Sequence, residues 1–158
     1  METSEYIRIA EQYTDIVYRA AISYCKNKND AEDAVQNTFV KLLKTDTEFN
    51  DDEHIRKWLV KVAVNECKNI SKSFWYRNIT SFDELEKEPE YTQSDEKELF
   101  EEVMKLPKKY SVVLHLYYYE GYSVKEIAQI LEISESNVQT RLMRARNKLK
   151  ENLQEAWI

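Results

Sequence analysis

Glycine and proline are scarce in this chain, which has one Gly and two Pro in 158 residues. Because strands joined by tight hairpins rely on glycine and other turn-forming residues, this scarcity leaves little room for a sheet. The sequence also lacks any run of about 18 apolar residues, the length of a membrane-spanning helix. Its first residues lack the basic and apolar regions of a signal peptide. We therefore expect an all-α protein of the cytoplasm.

Cysteine and histidine are also few, with two of each. Cys25 and Cys67 are far apart in predicted helices without a Cys or His nearby, so we expect buried free thiols rather than a zinc site or a required disulfide. His54 and His115 have no visible triad or metal set, and the chain has no glycine-rich phosphate loop. The sequence therefore predicts no catalytic residues, no metal and no cofactor, and argues against an enzyme.

Negative charge dominates the chain but is unevenly placed. A net charge of −6 does not favour unaided, non-specific DNA binding, because phosphate contacts supply most of that affinity. Residues 80–102 hold ten acids against two lysines, whereas residues 54–78 hold six cations against Glu66 alone. A second basic block, residues 137–150, carries five positive charges and no negative one. Two basic blocks thus flank an acidic one.

Residues 121–150 have the pattern of a helix-turn-helix. Ser123, with Glu126 three residues on, predicts a capping box for the first helix, and Ser134 or Ser136 can cap the second. A turn of about three residues separates the helices, as this motif requires. Apolar residues repeat at helical spacing in both helices: Val124, Ile127, Ala128 and Leu131, then Val138, Leu142, Ala145 and Leu149.

The second helix of this motif is predicted to enter a DNA groove. Arg144 would hydrogen-bond to guanine, Gln139 would hydrogen-bond to adenine, and Met143 would contact a thymine methyl group. Neighbouring cations would hold phosphates without reading sequence. A merely solvated helix face is the alternative. The residues opposite the apolar stripe are Gln139, Thr140, Met143, Arg144 and Asn147, flanked by Arg141, Arg146, Lys148 and Lys150.

Three helices are predicted in the N-terminal part, over about residues 4–26, 30–44 and 54–74. Asp30 is expected to cap the second, whose inward residues would be Ala31, Ala34, Val35, Thr38, Leu42 and Leu43. The opposite face of that helix is either solvated or a docking surface: Glu32, Asp33, Gln36 and Asn37.

The third helix has a cationic and amide-rich side that suits contacts with a nucleic-acid backbone and exposed bases: Lys61, Asn65, Lys68, Asn69 and Lys72. Trp58 is expected in the core. The aromatic residues Phe74, Trp75 and Tyr76, beside Arg77, either close the core or stack on bases.

Acidic composition with few aliphatic residues marks a linker. We expect two small helical domains, residues 1–78 and 96–158, joined by the acidic linker 79–95. The C-terminal domain would begin with a helix near 95–105, break at Leu106-Pro107, and resume until Gly121 in the left-handed conformation. Val113, Leu116 and Tyr117, with Val112 or Tyr119, would cover the helix-turn-helix.

Several motifs occur in order along the chain: DAEDAVQNTF at 30–39, Trp58-Leu59 with Asn65, Leu106-Pro107, GYS at 121–123 with EIA at 126–128, and RLMRAR at 141–146. Together they resemble the bacterial sigma-70 family, in particular the extracytoplasmic-function sigma factors, which keep only region 2 and region 4. The likeness covers nearly the whole chain. It implies a region 2 helical bundle in residues 1–78 and a region 4 helix-turn-helix in residues 96–158.

The resemblance implies three groups of site residues. The core-polymerase group docks on the β′ clamp helices: Asp30, Glu32, Asp33, Gln36, Asn37 and Phe39. The minus-10 group, with the loop before His54, captures an unstacked base: Lys61, Asn65, Lys68, Asn69 and Lys72. The minus-35 group reads or holds duplex DNA: Ser123, Asn137, Gln139, Thr140, Arg141, Met143, Arg144 and Arg146.

The partners implied by the resemblance are bacterial core RNA polymerase, through the β′ clamp helices and the β flap, promoter DNA, and an anti-sigma factor. The sequence departs from the family pattern at one residue and in one short segment. Glu132 stands where the family often has Gly, so a non-glycine residue must accept an unfavourable backbone conformation. Phe74-Trp75-Tyr76 replaces a basic tail after the third helix. An autonomous regulator that binds operators as a dimer is the alternative function.

Overall fold

The computed structural model describes residues 1–74 and 94–156, and of residues 72–74, 94–98 and 154–156 it describes the backbone alone. These residues fall into two compact units, one on each side of the undescribed segment. Regular structure in both described ranges is helical, so the all-α prediction is confirmed. Within those ranges, none of the helices has the length and apolar character needed to cross a membrane.

Over residues 1–74 the N-terminal unit is a bundle of three helices, each packed against the other two. The helices are α1 (Thr3–Cys25), α2 (Lys28–Lys44) and α3 (Asp52–Phe74). Its core joins side chains from all three helices: Ile9, Tyr13, Val17, Phe39, Leu42, Ile55, Leu59 and Ala63. All three predicted helices are confirmed, with bounds that differ from the expected ones by up to two residues.

The turn between α1 and α2 takes two residues. Lys26 adopts a left-handed conformation (φ 55°) and its N–H donates to the Ile22 carbonyl at 3.0 Å, which ends α1. The Asn27 side chain then caps α2 by accepting from the Asp30 N–H at 3.0 Å. The expected Asp30 cap is therefore wrong, because the helix starts earlier. Asp30 instead lies in the first turn, where a carboxylate interacts favourably with the helix dipole.

The buried side of α2 is narrower than expected. Ala31, Ala34, Thr38 and Leu42 are fully buried, but Leu43, predicted to face inward, is 53% exposed. At about 100° per residue, position 43 lies roughly 120° around the helix from position 31, outside the buried stripe.

Helix α3 is buried over a wider face than its sequence stripe predicts. Val60 and Val64 are fully buried in addition to the expected positions, because α3 packs against both α1 and α2. Trp58 packs on the core cluster, as predicted, and its ring meets Phe49 edge-on at 5.6 Å.

The two cysteines are closer together than their sequence separation suggested. Both Cys25 and Cys67 are free thiols, as predicted; Cys67 is fully buried, whereas Cys25, also predicted to be buried, is only half-buried. Cys67 Sγ donates to the Ala21 carbonyl at 3.5 Å. Interaction with the Cys25 side chain, together with burial, raises the pKa of the Cys67 thiol far above its usual range, so the expectation that Cys67 has no cysteine nearby is wrong.

Within residues 94–156, the C-terminal unit has four α-helices and a short π-helix. These are α4 (Ser94–Met104), α5 (Lys108–Leu114), a π-helical segment (His115–Tyr119), α6 (Val124–Leu131) and α7 (Glu135–Ala156). Helices α5 and α6 pack against α7. Val112, Val113 and Leu116 are buried as predicted. The prediction for Tyr117 is wrong: its ring is 37% exposed and packs edge-on against Tyr118, with ring centroids 4.9 Å apart.

Candidate nucleic-acid interfaces and docking surface

The helix-turn-helix has the local structure that its sequence predicts. Ser123 Oγ accepts from the Glu126 N–H, and Glu126 Oε1 accepts from the Ser123 N–H, both at 3.1 Å, which completes the capping box. Ser134 Oγ accepts from the Asn137 N–H at 3.0 Å and caps α7, which settles the choice between the two serines. Ser123, one of the predicted minus-35 residues, thus uses its oxygen to begin α6.

The turn between α6 and α7 contains a residue with a positive φ angle. Glu132 has φ 58° and ψ 45°, and its N–H donates to the Ala128 carbonyl. This left-handed conformation costs a non-glycine residue roughly 1–2 kcal/mol. The strained turn implied by the family resemblance is confirmed. The turn has three residues, between Leu131 and Glu135, as the sequence predicts.

One side of α7, the recognition face, lies open to solvent. Its members are Gln139, Thr140, Met143, Arg144 and Asn147. All but the half-buried Thr140 are exposed, and Met143 is 56% exposed. The opposite side of α7 is buried in the core of the unit through Val138, Leu142 and Ala145.

Two of the cations beside the recognition face are held by neighbouring side chains. Arg141 Nε donates to Asn137 Oδ1 at 3.1 Å, one turn away on α7. The Arg146 guanidinium lies over the Tyr118 ring, 5.9 Å from its centroid, in a cation–π contact. Sequence reasoning missed Tyr118. The run of three tyrosines before Gly121 was the signal that an aromatic ring lies near the basic helix.

The side of α3 that is predicted to contact bases is partly buried in the N-terminal unit. Lys61 and Asn69 are exposed, whereas Asn65 and Lys68 are half-buried. We call these four residues the base-capture face. The side chains of Lys72 and Phe74 lie outside the described part of the structure. Trp75, Tyr76 and Arg77 lie wholly outside it.

The loop 45–51, which precedes α3, borders an open cavity of about 500 Å³. Phe49 packs edge-on against both His54 and Trp58, at 5.2 and 5.6 Å between ring centroids. Asp51 Oδ1 accepts from the His54 N–H at 2.8 Å, and His54 Nδ1 accepts from the Asn50 N–H at 3.1 Å. The His54 side chain therefore folds back and fixes the loop.

The cavity is lined by carboxylates from the loop and from α1. Asp46, Glu48 and Asp51 line it on the loop side, and Glu5 and Arg8 line it on the α1 side. Carboxylates repel phosphate but accept hydrogen bonds from the exocyclic amino groups of bases. The acidic lining of the cavity is therefore unfavourable to phosphate.

The exposed side of α2 joins polar and apolar residues at helical spacing. Asp33, Gln36 and Asn37 are exposed, and Val40 and Leu43 continue the surface at 45% and 53% exposure. We call these five residues the docking face. The sequence prediction did not include the two apolar members, although positions 33, 36, 37 and 40 follow the i, i+3, i+4, i+7 pattern.

Other predicted polymerase-binding residues lie differently. Asp30 and Glu32 are half-buried. Phe39 is only 8% exposed; its ring meets Tyr6 edge-on at 6.5 Å, and its carbonyl accepts from the Tyr6 hydroxyl at 3.3 Å. Phe39 thus anchors α2 on α1, and the structure does not bring it into the exposed docking face.

Behind the docking face lies the buried carboxylate of Glu66, on α3. Glu66 Oε2 accepts from Asn37 Nδ2 at 3.4 Å, and Glu66 Oε1 pairs with the ammonium group of Lys41. In the sequence, Glu66 stood out only as the one acid among residues 54–78. The structure makes it a link between the helix of the docking face and the helix of the base-capture face.

Two family models match the chain, "Sigma-70 region 2" over residues 9–73 and "Sigma-70, region 4" over residues 97–149. The RNA polymerase sigma factor SigV of Bacillus subtilis (strain 168) is 31% identical over 133 residues, 81% of this chain and 78% of the relative. The ECF RNA polymerase sigma factor SigM of the same strain is 30% identical, over 90% of this chain and 91% of the relative. The chain therefore belongs to the sigma-70 family, within the extracytoplasmic-function sigma factors.

Solved structures show the same fold. The sigma factor RpoE, in its co-crystal structure with the anti-sigma factor NepR from Bartonella quintana, matches with a TM-score of 0.74 at 22% identity, over 96% of this chain and 98% of that one. CnrH, solved in complex with the cytosolic domain of CnrY, matches with a TM-score of 0.62 at 23% identity, over 98% of this chain and 90% of that one.

Proposed function

We propose that this protein binds core RNA polymerase and directs it to promoters with a minus-35 and a minus-10 element. The observation that carries this proposal is the presence of both sigma-70 regions in one chain, in order, each with an exposed face suited to its partner. The relatives SigV and SigM are both RNA polymerase sigma factors. The function is one of binding and positioning, and we assign it no catalytic residues.

The docking face of α2 is the proposed contact with the β′ clamp helices. It combines the carboxylate and amides of Asp33, Gln36 and Asn37 with the apolar side chains of Val40 and Leu43. An apolar patch beside polar hydrogen-bonding groups is the composition of a specific protein interface. We propose that Asp30 and Glu32 add negative charge at its edge, and that Phe39 contributes by holding α2 in place.

The base-capture face of α3 and the cavity beside loop 45–51 are the proposed minus-10 site. Opening a base pair costs a few kcal/mol, and binding of the released base offsets that cost. Half-buried Asn65 and Lys68 offer amide and ammonium groups at a fixed position, while the exposed Lys61 suits the DNA backbone. The loop carboxylates suit the amino groups of a base.

The recognition face of α7 is the proposed minus-35 reader. Arg144, Gln139 and Met143 project from a helix that is capped at Ser134 and buried along its other side. We propose that Thr140 also faces the bases, and that Ser123, Asn137, Arg141 and Arg146 lie nearer the phosphates. The same unit would contact the β flap of polymerase.

Holding two weak DNA readers on one polymerase gives specificity through multivalency. An anti-sigma factor is the further partner that we propose, because RpoE and CnrH, which share the fold, were both solved in complexes, RpoE with an anti-sigma factor. We place the protein in the cytoplasm, where core polymerase acts. An autonomous dimeric regulator would explain the basic face of α7 but not the docking face of α2.

Transcription in vitro tests this function. The protein is added to bacterial core polymerase and a pool of promoter fragments, and transcript starts are sequenced. We expect starts that share two upstream elements at fixed spacing, and none with core polymerase alone. Tight footprints from the protein without polymerase, and no transcripts, would support the dimeric regulator instead.

A further inference from the structure

Glu66 is a buried charge whose partners lie on another helix. The residue is 6% exposed, and a charge buried to that degree is stable only when it is paired and hydrogen-bonded. Its two partners, Asn37 and Lys41, are exposed residues one turn apart on α2. Glu66 therefore reaches the docking face from behind.

The contact with Glu66 decides which way the Asn37 amide faces. The oxygen and nitrogen ends of an amide have nearly the same shape, so hydrogen-bond partners set its orientation. An ionised carboxylate can only accept, so Asn37 must turn Nδ2 toward Glu66 Oε2. The geometry of the amide then directs Oδ1 away from Glu66, on an exposed side chain.

We propose that Glu66 is a positioning residue of the docking face, which holds Asn37 so that its Oδ1 accepts a hydrogen bond from polymerase. This inference rests on the proposed function. Asp33, one turn before Asn37, presents a carboxylate on the same exposed side. Two acceptors at this spacing fit a partner helix with arginine or lysine donors, whose hydrogen bonds to charged or polar oxygens are strong.

Glu66→Gln reverses the orientation of Asn37 while keeping the shape of the interface. Lys41 has donors and no acceptor, so it takes the oxygen of the substituted glutamine and leaves the glutamine Nε2 facing Asn37. Asn37 then turns Oδ1 inward and Nδ2 outward. The docking face presents a donor where the partner also has a donor, and one hydrogen bond is lost.

A second substitution restores the outward acceptor. In the double variant Asn37→Asp with Glu66→Gln, one oxygen of the new aspartate accepts from the Nε2 of the new glutamine, and the other oxygen faces the partner. Asn37→Asp alone places two carboxylates against each other beside Lys41, so the new aspartate turns away from the position that the partner meets. The two single changes are thus harmful, and their combination is not.

The test is the equilibrium affinity of each purified full-length variant for core RNA polymerase. We expect Glu66→Gln and Asn37→Asp each to bind about tenfold more weakly than the wild type, and the double variant to recover to within about threefold. Glu53→Gln is the matched control. It alters an acid of the same helix that pairs with Arg56 rather than with α2, and should bind like the wild type.

Thermal melting of each variant separates positioning from stability. Asn37→Asp changes an exposed residue and gives a second measurement of affinity, to be compared with its own melting temperature, where Glu66→Gln melts early. The proposal is overturned if Glu66→Gln binds core polymerase as tightly as the wild type does, or if the double variant does not regain affinity. It is also overturned if the loss of affinity across the variants simply parallels the fall in their melting temperatures. Failure of the wild type itself to bind core polymerase would instead overturn the proposed function.

Discussion

The two surfaces proposed to contact DNA differ in how deeply their side chains are set. On α7 the recognition face is exposed, and long side chains such as Arg144 and Met143 project from it. On α3 Asn65 and Lys68 are half-buried, and the loop before this helix borders a cavity with acidic lining. Projecting side chains reach base edges within an intact groove, whereas a recessed polar pocket accepts a base that has left the stack. This difference is the reason for proposing that α7 reads duplex DNA and that α3 with its preceding loop binds opened DNA.

The docking face of α2 differs from both surfaces in its composition. It presents Asp33 beside amides and two exposed apolar side chains, and the exposed cations Lys41 and Lys44 follow on the same helix. Apolar side chains mixed with hydrogen-bonding groups of both signs suit a protein partner. This contrast between surfaces yields four predictions, which follow from the largest expected effect to the smallest.

Asp33→Arg should abolish polymerase binding, at a cost of roughly 2–5 kcal/mol, because a cation would face the donors of the partner. The measurement is affinity for core polymerase by competition with a labelled wild-type protein. Asp15→Arg, an exposed acid on α1, is the control for the charge change itself. If the Asp33→Arg variant assembles normally into holoenzyme, α2 is not the docking helix.

Arg144→Ala should weaken recognition chiefly at one minus-35 position, by about 1–3 kcal/mol if the guanidinium contacts guanine through two hydrogen bonds. Binding of holoenzyme to a set of single-base minus-35 variants measures this. Lys148→Ala should weaken all sequences alike and lower the salt dependence, as expected of a phosphate contact. A uniform loss in Arg144→Ala would reassign that residue to the phosphates.

Phe49→Ala should reduce open-complex formation by about tenfold while minus-35 binding stays normal. The ring packs edge-on against His54 and Trp58, and each aromatic pair contributes about 0.5–1.5 kcal/mol to holding the loop. Reactivity of thymines in the melted region reports opening, and footprinting reports upstream binding. Parallel loss of both signals would mean that the loop has no separate part in opening.

Glu132→Gly should stabilise the C-terminal unit by about 1 kcal/mol, because glycine adopts the left-handed conformation of this turn without a Cβ clash. Denaturant unfolding measures the change. Glu151→Gly, at an exposed position inside α7, is the opposed control and should destabilise by about 1 kcal/mol. An unchanged or lower stability of Glu132→Gly would show that the Glu132 side chain compensates for its backbone.

Much of the local structure was predictable because it depends on nearest neighbours in the sequence. The capping box at Ser123 follows from a few adjacent residues, which also narrowed the second cap to Ser134 or Ser136. The left-handed Glu132 was expected from the family resemblance, since the family often has Gly at that position. The exposed recognition face followed from helical periodicity alone. Helix bounds were close for the same reason.

Contacts between helices were not predictable in this way. The sequence placed Cys25 and Cys67 apart, yet packing of α1 against α3 brings their side chains close enough to interact. It showed Glu66 only as a lone acid, because its partners on α2 depend on how two helices pack. The roles of the three groups of site residues remain predictions, since binding depends on partners outside this chain.

The central claim is that α7 reads duplex DNA while α3 binds opened DNA. Its most direct test is to measure holoenzyme binding to two promoter DNAs, one fully duplex and one with the minus-10 segment unpaired. Unpairing should strengthen wild-type binding, because the cost of opening is removed. We predict that Asn65→Ala loses affinity chiefly for the unpaired DNA, whereas Arg144→Ala loses affinity for both DNAs equally. Equal losses from Asn65→Ala on both DNAs would contradict a division between duplex reading and base capture.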